Sequence, residues 1–534
     1  TAEGHLGGQS YPTGLTVSYY PNALGQATAV TSTDGWTYAS GISYYPNGAI
    51  KQFTYGNGLT HTMTQNARQL PARVTDGGGA LDYDYAYDAN GNVDHIYDYI
   101  PDLTPGSTPK HRWMTYDGLD RLTSVGSAIF GGDHWHRFTY DVLDNLKSWK
   151  LAGVKDYANY LYDASNRLVN IKNSANATVV GLGYDVQGNL ANKNGQAYSF
   201  DYGNRLRDVT GKEGLYRYDG QGRRVMSWRP DNGGQVTLFQ YSQSGQVMYE
   251  ENGRSQLAIE HVYLAGSQIA TRERNWVTGA FPVKFHHTDA LGSPVAVTNT
   301  AGAVIDRTDY EPYGSTINKP TYDGVGFTGH VMDGATGLTY MQQRYYDSAI
   351  GRFLSADPVT AYQRPVTNFC RYCYAIDNPY KFTDPDGREI VVKRPEDRRE
   401  ISAWINQQAK GMYKFDKFGR LHMTSSNGKA SSTYQRQLNA AIKSDKTISI
   451  RIGSTYVRPN SLEVYSVKDS GGALTDTHAS KDGSLINVVI DRAAQPLDPI
   501  KDQSGRAMSY SPADKLTHEL VGHAIPAIVG GGTG

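Results

Sequence analysis

The apolar positions of this chain come in short runs, and the same polar punctuation breaks them at a recurring interval. Tyr-Asp pairs stand at Tyr87-Asp88, Tyr116-Asp117, Tyr140-Asp141, Tyr162-Asp163, Tyr184-Asp185 and Tyr218-Asp219. Most continue as x-x-Gly/Asn-Arg/Asn-Leu: YDANGNV, YDGLDRL, YDVLDNL, YDASNRL, YDVQGNL and YDGQGRR. The intervals run from 22 to 34 residues, and a degenerate copy, DYGNRL at 201–206, divides the longest. Each unit predicts one hairpin. Tyr ends a strand, and Asp with Gly or Asn makes the turn through a side-chain-to-backbone bond and a left-handed residue. Arg or Asn opens the return strand, and Leu faces inward. One such hairpin cannot bury its apolar face, so neighbours must stack into a continuous sheet. The earlier stretches SYYPNALGQ and SYYPNGAIKQFTYGNG fit the same scheme with Pro-Asn turns. Helical patterning begins only near residue 396, with RPEDRREISAWINQQAKGMY and SSTYQRQLNAAIKS. The runs KTISIRIG, SLEVYSV and SLINVVIDR then predict strands, so the C-terminal part reads as α+β.

Composition sharpens the picture. The 534 residues are too many for one hydrophobic core, so an array or several domains are expected. There are 40 Tyr against 13 Phe, a bias that suits half-buried strands with the ring inward and the hydroxyl at the wet edge. Gly reaches 58, which suits tight turns at positive φ. Basic and acidic residues balance at 52 each, which argues against a nucleic-acid-coating or membrane-surface protein. The two cysteines, Cys370 and Cys373, supply no disulfide framework and read as small residues of a strand. No apolar run approaches the ~20 residues of a transmembrane helix. The first residues, TAEGHLGG, begin in mid-pattern without a signal peptide, so the chain is expected to continue upstream.

Over residues 1–388 these motifs resemble the RHS/YD repeats of bacterial polymorphic toxins, of insecticidal toxin-complex C components and of teneurins. The resemblance implies one spiralling β-hairpin sheet that closes into a hollow shell around the C-terminal segment. From residue 285 the texture changes to HHTDALGSPVAVTNTAGAVIDRTDYEPYGS, GFTGHVMDGATGLTYMQQRYYDSAIGRFLSADP and NPYKFTDPDGRE, which is similar to the RHS-associated core. In that family the core plugs one end of the shell and cuts its own chain with two aspartates, in the manner of an aspartic protease. The matching positions are Asp357 (SADP) and Asp384 (TDPDG), with the cut between Arg388 and Glu389. Such chemistry needs two carboxylates close enough to share a proton. This chain departs from the pattern in having Asp-Pro-Val-Thr at 357–360 and an Arg before the cut. Asp347, Asp377 and Asp386 stand near enough to serve instead, and Arg352 is expected either to hold a catalytic carboxylate or to lie on the surface.

The last signal is YSPADKLTHELVGHAIPAIVGG. Ser511, Pro512 and Asp514 mark a helix start. The helix would present His518, Glu519 and His523. Zinc peptidases use H-E-x-x-H, with both His four residues apart on one helical face. Here the spacing is five, and only a π-bulge would bring the two imidazoles together. Gly522 makes such a bulge cheap. The H-E-x-x-G-H form resembles dipeptidyl-peptidase-III-like zinc peptidases, which implies His518 and His523 as Zn2+ ligands and Glu519 as general base. The third ligand there is a later Glu. Either it follows beyond Gly534, the reading favoured by the loop-like GGGTG ending, or it comes from His478, Asp476 or Asp491.

The expected organisation is therefore mainly β: a repeat shell over 1–284, a core with a self-cleaving junction over 285–388, and a small α+β effector over 389–534. The expected function is a secreted polymorphic toxin for interbacterial competition. Its own C-terminal toxin is the cargo, a secretion apparatus such as type VI or a toxin complex delivers it, and a cognate immunity protein is implied. The effector is read as a zinc metallopeptidase. The alternatives are a nuclease or ADP-ribosyltransferase in the same shell, or a non-enzymatic adhesion protein.

Overall fold

The computed structural model describes residues 5–100, 110–230, 233–357 and 371–384, and eight strands beyond them between Val391 and Ile490. Its repeat can be read atom by atom. At Asp163, Oδ1 accepts the N–H of Ser165 and of Arg167, both at 2.9 Å, and Oδ2 accepts Nε of Arg167 at 2.8 Å. Asn166, inside that loop, sits at φ 61°. Asp117, Asp141, Asp185, Asp201 and Asp219 make the same pair of backbone bonds. Their left-handed residues are Asp120, Asp144, Gly188, Asn204 and Gly222. Left-handed backbone is cheap only for Gly, Asn and Asp, which explains the fifth position of the motif, three residues after its Asp. In the units nearer the N-terminus Asn takes the place of Asp, as at Asn22 and Asn66.

The leucine after each turn is fully interior: Leu122, Leu146, Leu168, Leu190 and Leu206 are all 2% exposed or less. The tyrosine hydroxyl is not at a wet edge, as composition alone suggested. It donates to the backbone carbonyl just past the preceding turn: Tyr140 to Leu122, Tyr162 to Leu146 and Tyr184 to Leu168, at 2.7–2.9 Å. Burial pushes the Tyr162 hydroxyl up to about 12, so it stays a donor. The arginine of one unit then lies over the tyrosine of the next, as Arg121 does over Tyr140 at 4.8 Å.

From Gly8 to Arg307 the strands follow one another as antiparallel meanders in sheets of 14, 6 and 9 strands, and within each sheet every strand is hydrogen-bonded to its sequence neighbours. A one-residue shift recurs where a strand meets its turn, as between Leu161 and Tyr162. The run of strands returns on itself. Tyr11 Oη reaches His261 O at 2.8 Å, Asn57 Nδ2 reaches Asn299 O at 3.0 Å, and Arg307 reaches Ala80 O at 3.1 Å. Beyond this seam, Lys110 pairs with Asp309, Lys155 with Glu311 and Arg224 with Asp333. The separation along the chain thus falls from 250 residues at Tyr11 to 109 at Arg224. A winding sheet is closed by the segment that follows it, whose own five-stranded sheet ends at Phe353. Trp149, Tyr313, Tyr346, Phe353 and Tyr374 are buried together where the two meet. At the seam Asp76 is 3% exposed, and Nδ1 of His61 and of His287 each lie 2.7 Å from one of its oxygens.

The chain divides into two compact units, one of Leu6–Asp357 with Tyr372–Asp386, the other of Thr1–His5, Pro358–Arg371 and Gly387–Gly534. In the second, Val391–Val392, Thr447–Ile452, Leu485–Ile490 and Ala473–Asp476 form one mixed sheet in that order. The helical patterns at 394–413 and 431–444 fall almost wholly outside the described residues. Cys373 is disulfide-bonded rather than a plain strand residue, and Cys370 lies outside the described residues. Among the described residues no helix is long and apolar enough to cross a membrane, which says nothing of a β-barrel.

Candidate functional site

The strand Arg344–Asp347 is buried along its whole length, between Leu338–Met341 and Arg352–Phe353. A charged residue in such a strand needs a built environment. The Arg344 guanidinium rests on the ring of Phe353, 3.6 Å from its centroid. Its Nη1 lies 2.9 Å from Oδ2 of Asp357, and its Nη2 bonds Oδ2 of Asp384. Two carboxylates 27 positions apart in the chain therefore meet on one side chain. Arg344 offsets the repulsion that would otherwise drive them apart. The backbone carbonyl of Asp384 is fixed as well, 3.0 Å from Nε2 of His330. The Arg344 side chain is 6% exposed, whereas Asp357 and Asp384 retain 16% and 23%, so water reaches the carboxylates and not their anchor.

The nearby acids have other partners. Asp347 pairs with Lys193. Asp377 is buried at φ 56°, with Nη1 of Arg352 and the Tyr313 hydroxyl each 3.5 Å from its Oδ1. Burial pushes its carboxyl up to about 7 against the pull of Arg352. Arg352 is neither a surface residue nor a partner of Asp357 or Asp384 among the described contacts. It is 3% exposed and donates to the Tyr162 hydroxyl at 3.1 Å. The bridging arginine is Arg344, which none of the sequence motifs singles out. Its one signal is QRYYD, a cation set between residues suited to a buried strand. His330 leaves no comparable mark.

Asp386, Arg388, Glu389, His478, Asp491, His518, Glu519 and His523 lie outside the described residues, and Asp476 ends the strand Ala473–Asp476. Among the described residues no three His, Cys, Asp or Glu side chains are grouped to hold a metal ion.

Comparison with known proteins adds three kinds of likeness. The profile of the Teneurin YD-shell family matches residues 86–386, more than half of the chain. The tRNA3(Ser)-specific nuclease WapA of Bacillus spizizenii is 27% identical over 263 residues, 47% of this chain and 11% of its own length. The double-stranded DNA deaminase toxin A of Burkholderia cenocepacia is 27% identical over 382 residues, 64% of this chain and 24% of its own. Among solved structures, the crystal structure of TcdB2-TccC3-Cdc42 matches with a TM-score of 0.55 at 19% identity, over 71% of this chain and 21% of that one, a likeness of fold. This chain spans about a tenth to a quarter of the length of these proteins.

Proposed function

Because the chain belongs to the Teneurin YD-shell family, we propose that it is the shell and junction of a bacterial RHS polymorphic toxin that cuts its own backbone between Arg388 and Glu389. The observation that carries this reading is the meeting of Asp357 and Asp384 on Arg344. One carboxylate takes a proton from water as its oxygen attacks the carbonyl carbon of Arg388. The other protonates the nitrogen of Glu389, the C–N bond breaks, and a carboxylate and an amine remain. Arg344 is a positioning residue in this scheme.

The released piece, 389–534, is the effector. The spacing of His518, Glu519 and His523 supports a zinc peptidase, in which the metal would polarise the substrate carbonyl and activate water. A second reading, a toxin acting on nucleic acid, is favoured by the two relatives, one a tRNA-specific nuclease and the other a double-stranded DNA deaminase toxin. On either reading the toxin is delivered from the producing cell by a secretion apparatus or toxin complex, and a dedicated immunity protein protects that cell.

Intact mass under denaturing conditions tests the junction. Wild type is expected as two fragments split after Arg388, Asp384→Asn as one chain, and Arg344→Gln as a chain cut more slowly. A single uncut chain for wild type would remove the self-cleavage reading. The freed 389–534 piece, assayed for bound zinc and for peptidase, nuclease and deaminase activity, then decides between the two effectors.

A further inference from the structure

Between the strands Leu81–Tyr87, Val93–Asp98 and Arg112–Tyr116 and the closing segment lies a cavity of about 200 Å3. Its walls are mostly apolar, with Tyr85, Val93, Ile96 and Phe327 among them. A dry cavity of about 150 Å3 takes benzene, so this one has room for a single aromatic ring and a short substituent.

One side chain does not fit a purely apolar purpose. Arg112 lines the cavity and is 7% exposed. Among the described residues no carboxylate lies within 4.0 Å of its guanidinium. It lies beside Tyr83, with the ring centroid 5.7 Å away, and its charge also acts on the Tyr83 hydroxyl. The acids around it, Asp98, Asp289 and Asp309, act on its charge from beyond ion-pair distance, and each has a nearer partner. Asp289 accepts the N–H of Leu291 and of Ser293 at 2.9 Å, Asp98 accepts that of Ile100, Asp309 pairs with Lys110, and Glu311 pairs with Lys155. Lys381, also on the wall, gives its ammonium to the neutral acceptors Asn90 O and Asn92 Oδ1. Two cations thus border an apolar space with no carboxylate bound to either.

A guanidinium withdrawn from water without a carboxylate beside it is costly, and the partner its planar fork fits best is a carboxylate. We propose that this cavity is a binding site for a small aromatic carboxylate, with its ring against Tyr85, Ile96 and Phe327 and its carboxylate on Arg112. None of these residues belongs to the Asp357–Asp384 site, so the two readings stand or fall separately.

Calorimetric titration of the full chain with phenylacetate and with its neutral relative 2-phenylethanol tests the assignment. Phenylacetate is expected to bind at least roughly tenfold tighter, and Arg112→Met is expected to abolish that advantage while leaving the alcohol's affinity unchanged. Should that variant not fold, hydrogen exchange on wild type decides the same question. Phenylacetate is expected to slow exchange in 81–87 and 112–116, and 2-phenylethanol to do so far less. Equal affinity for the two compounds, or saturable binding of neither, would overturn the proposal and leave Arg112 as a structural charge balanced at longer range.

Discussion

Asp76 lies under the seam where the first strands meet those near residue 287, and its two oxygens are held by two histidines. Burial alone would raise its carboxyl, but the bonds from His287 and His61 outweigh it and hold the group below its ordinary 3.8. A carboxyl depressed in the folded state adds stability above the unfolded value, and that stability is lost as pH falls through the folded value. The Asp76 contribution is therefore expected to be complete above pH 3.8 and to disappear below it. Asp76→Asn is expected to lose roughly 1.5–3 kcal/mol at neutral pH, the range for a hydrogen bond to a charged group. Its urea midpoint is also expected to fall less steeply on acidification than that of wild type. Parallel acid limbs in wild type and variant would show that Asp76 is not the group being titrated. None of this was legible in the sequence: His61, Asp76 and His287 belong to no shared motif, and the bond spans 211 positions.

The turn was legible because its physics is local. The bonds of Asp163 reach two and four residues ahead, and the left-handed residue lies between them, so a short window contains the whole device. The destination of the tyrosine hydroxyl was not, because the acceptor sits on the previous unit, 16 residues back at Tyr162 and 23 at Tyr116. The same distinction explains the junction. Asp357 and Asp384 could be matched from their Asp-Pro contexts, whereas Arg344 could be assigned only once both aspartates were seen to converge on it. The turn rule can be tested where no other bond interferes. Asn176 is exposed at φ 62° in the turn that Asn173 closes onto Ala177 N at 2.9 Å. Asn176→Val is expected to cost about 1–2 kcal/mol in urea unfolding, and Asn176→Gly close to nothing. Equal costs would mean that the left-handed conformation is not what selects the residue.

Within the larger unit the winding strands are tied to distant segments, and Arg224–Asp333 is one such tie. Both side chains are buried, at 0% and 4% exposure, and Arg224 is packed over Tyr340 and Phe239 at 4.7 and 4.8 Å. Removing one partner leaves an uncompensated interior charge, so Asp333→Ala is expected to cost roughly 3–5 kcal/mol. The double change Arg224→Met with Asp333→Leu is expected to recover most of that loss. If the double variant unfolds as early as the single one, the pair contributes shape rather than charge balance.

The direction of the tyrosine bonds bears on how such a chain can be made. The tyrosine of each Tyr-Asp pair reaches back to a carbonyl nearer the N-terminus, from Tyr87 to Pro71 through Tyr218 to Leu206. A ribosome releases the N-terminal end first, so each new tyrosine emerges to find its acceptor already in place. The sheet can lengthen one unit at a time in the order of translation, while the ties to His261, Asn299 and Asp333 wait until those residues have been synthesised. The same polarity makes the two ends unequal: a break at the leading end strips a tyrosine of its acceptor, and a break at the trailing end leaves a buried carbonyl without its donor.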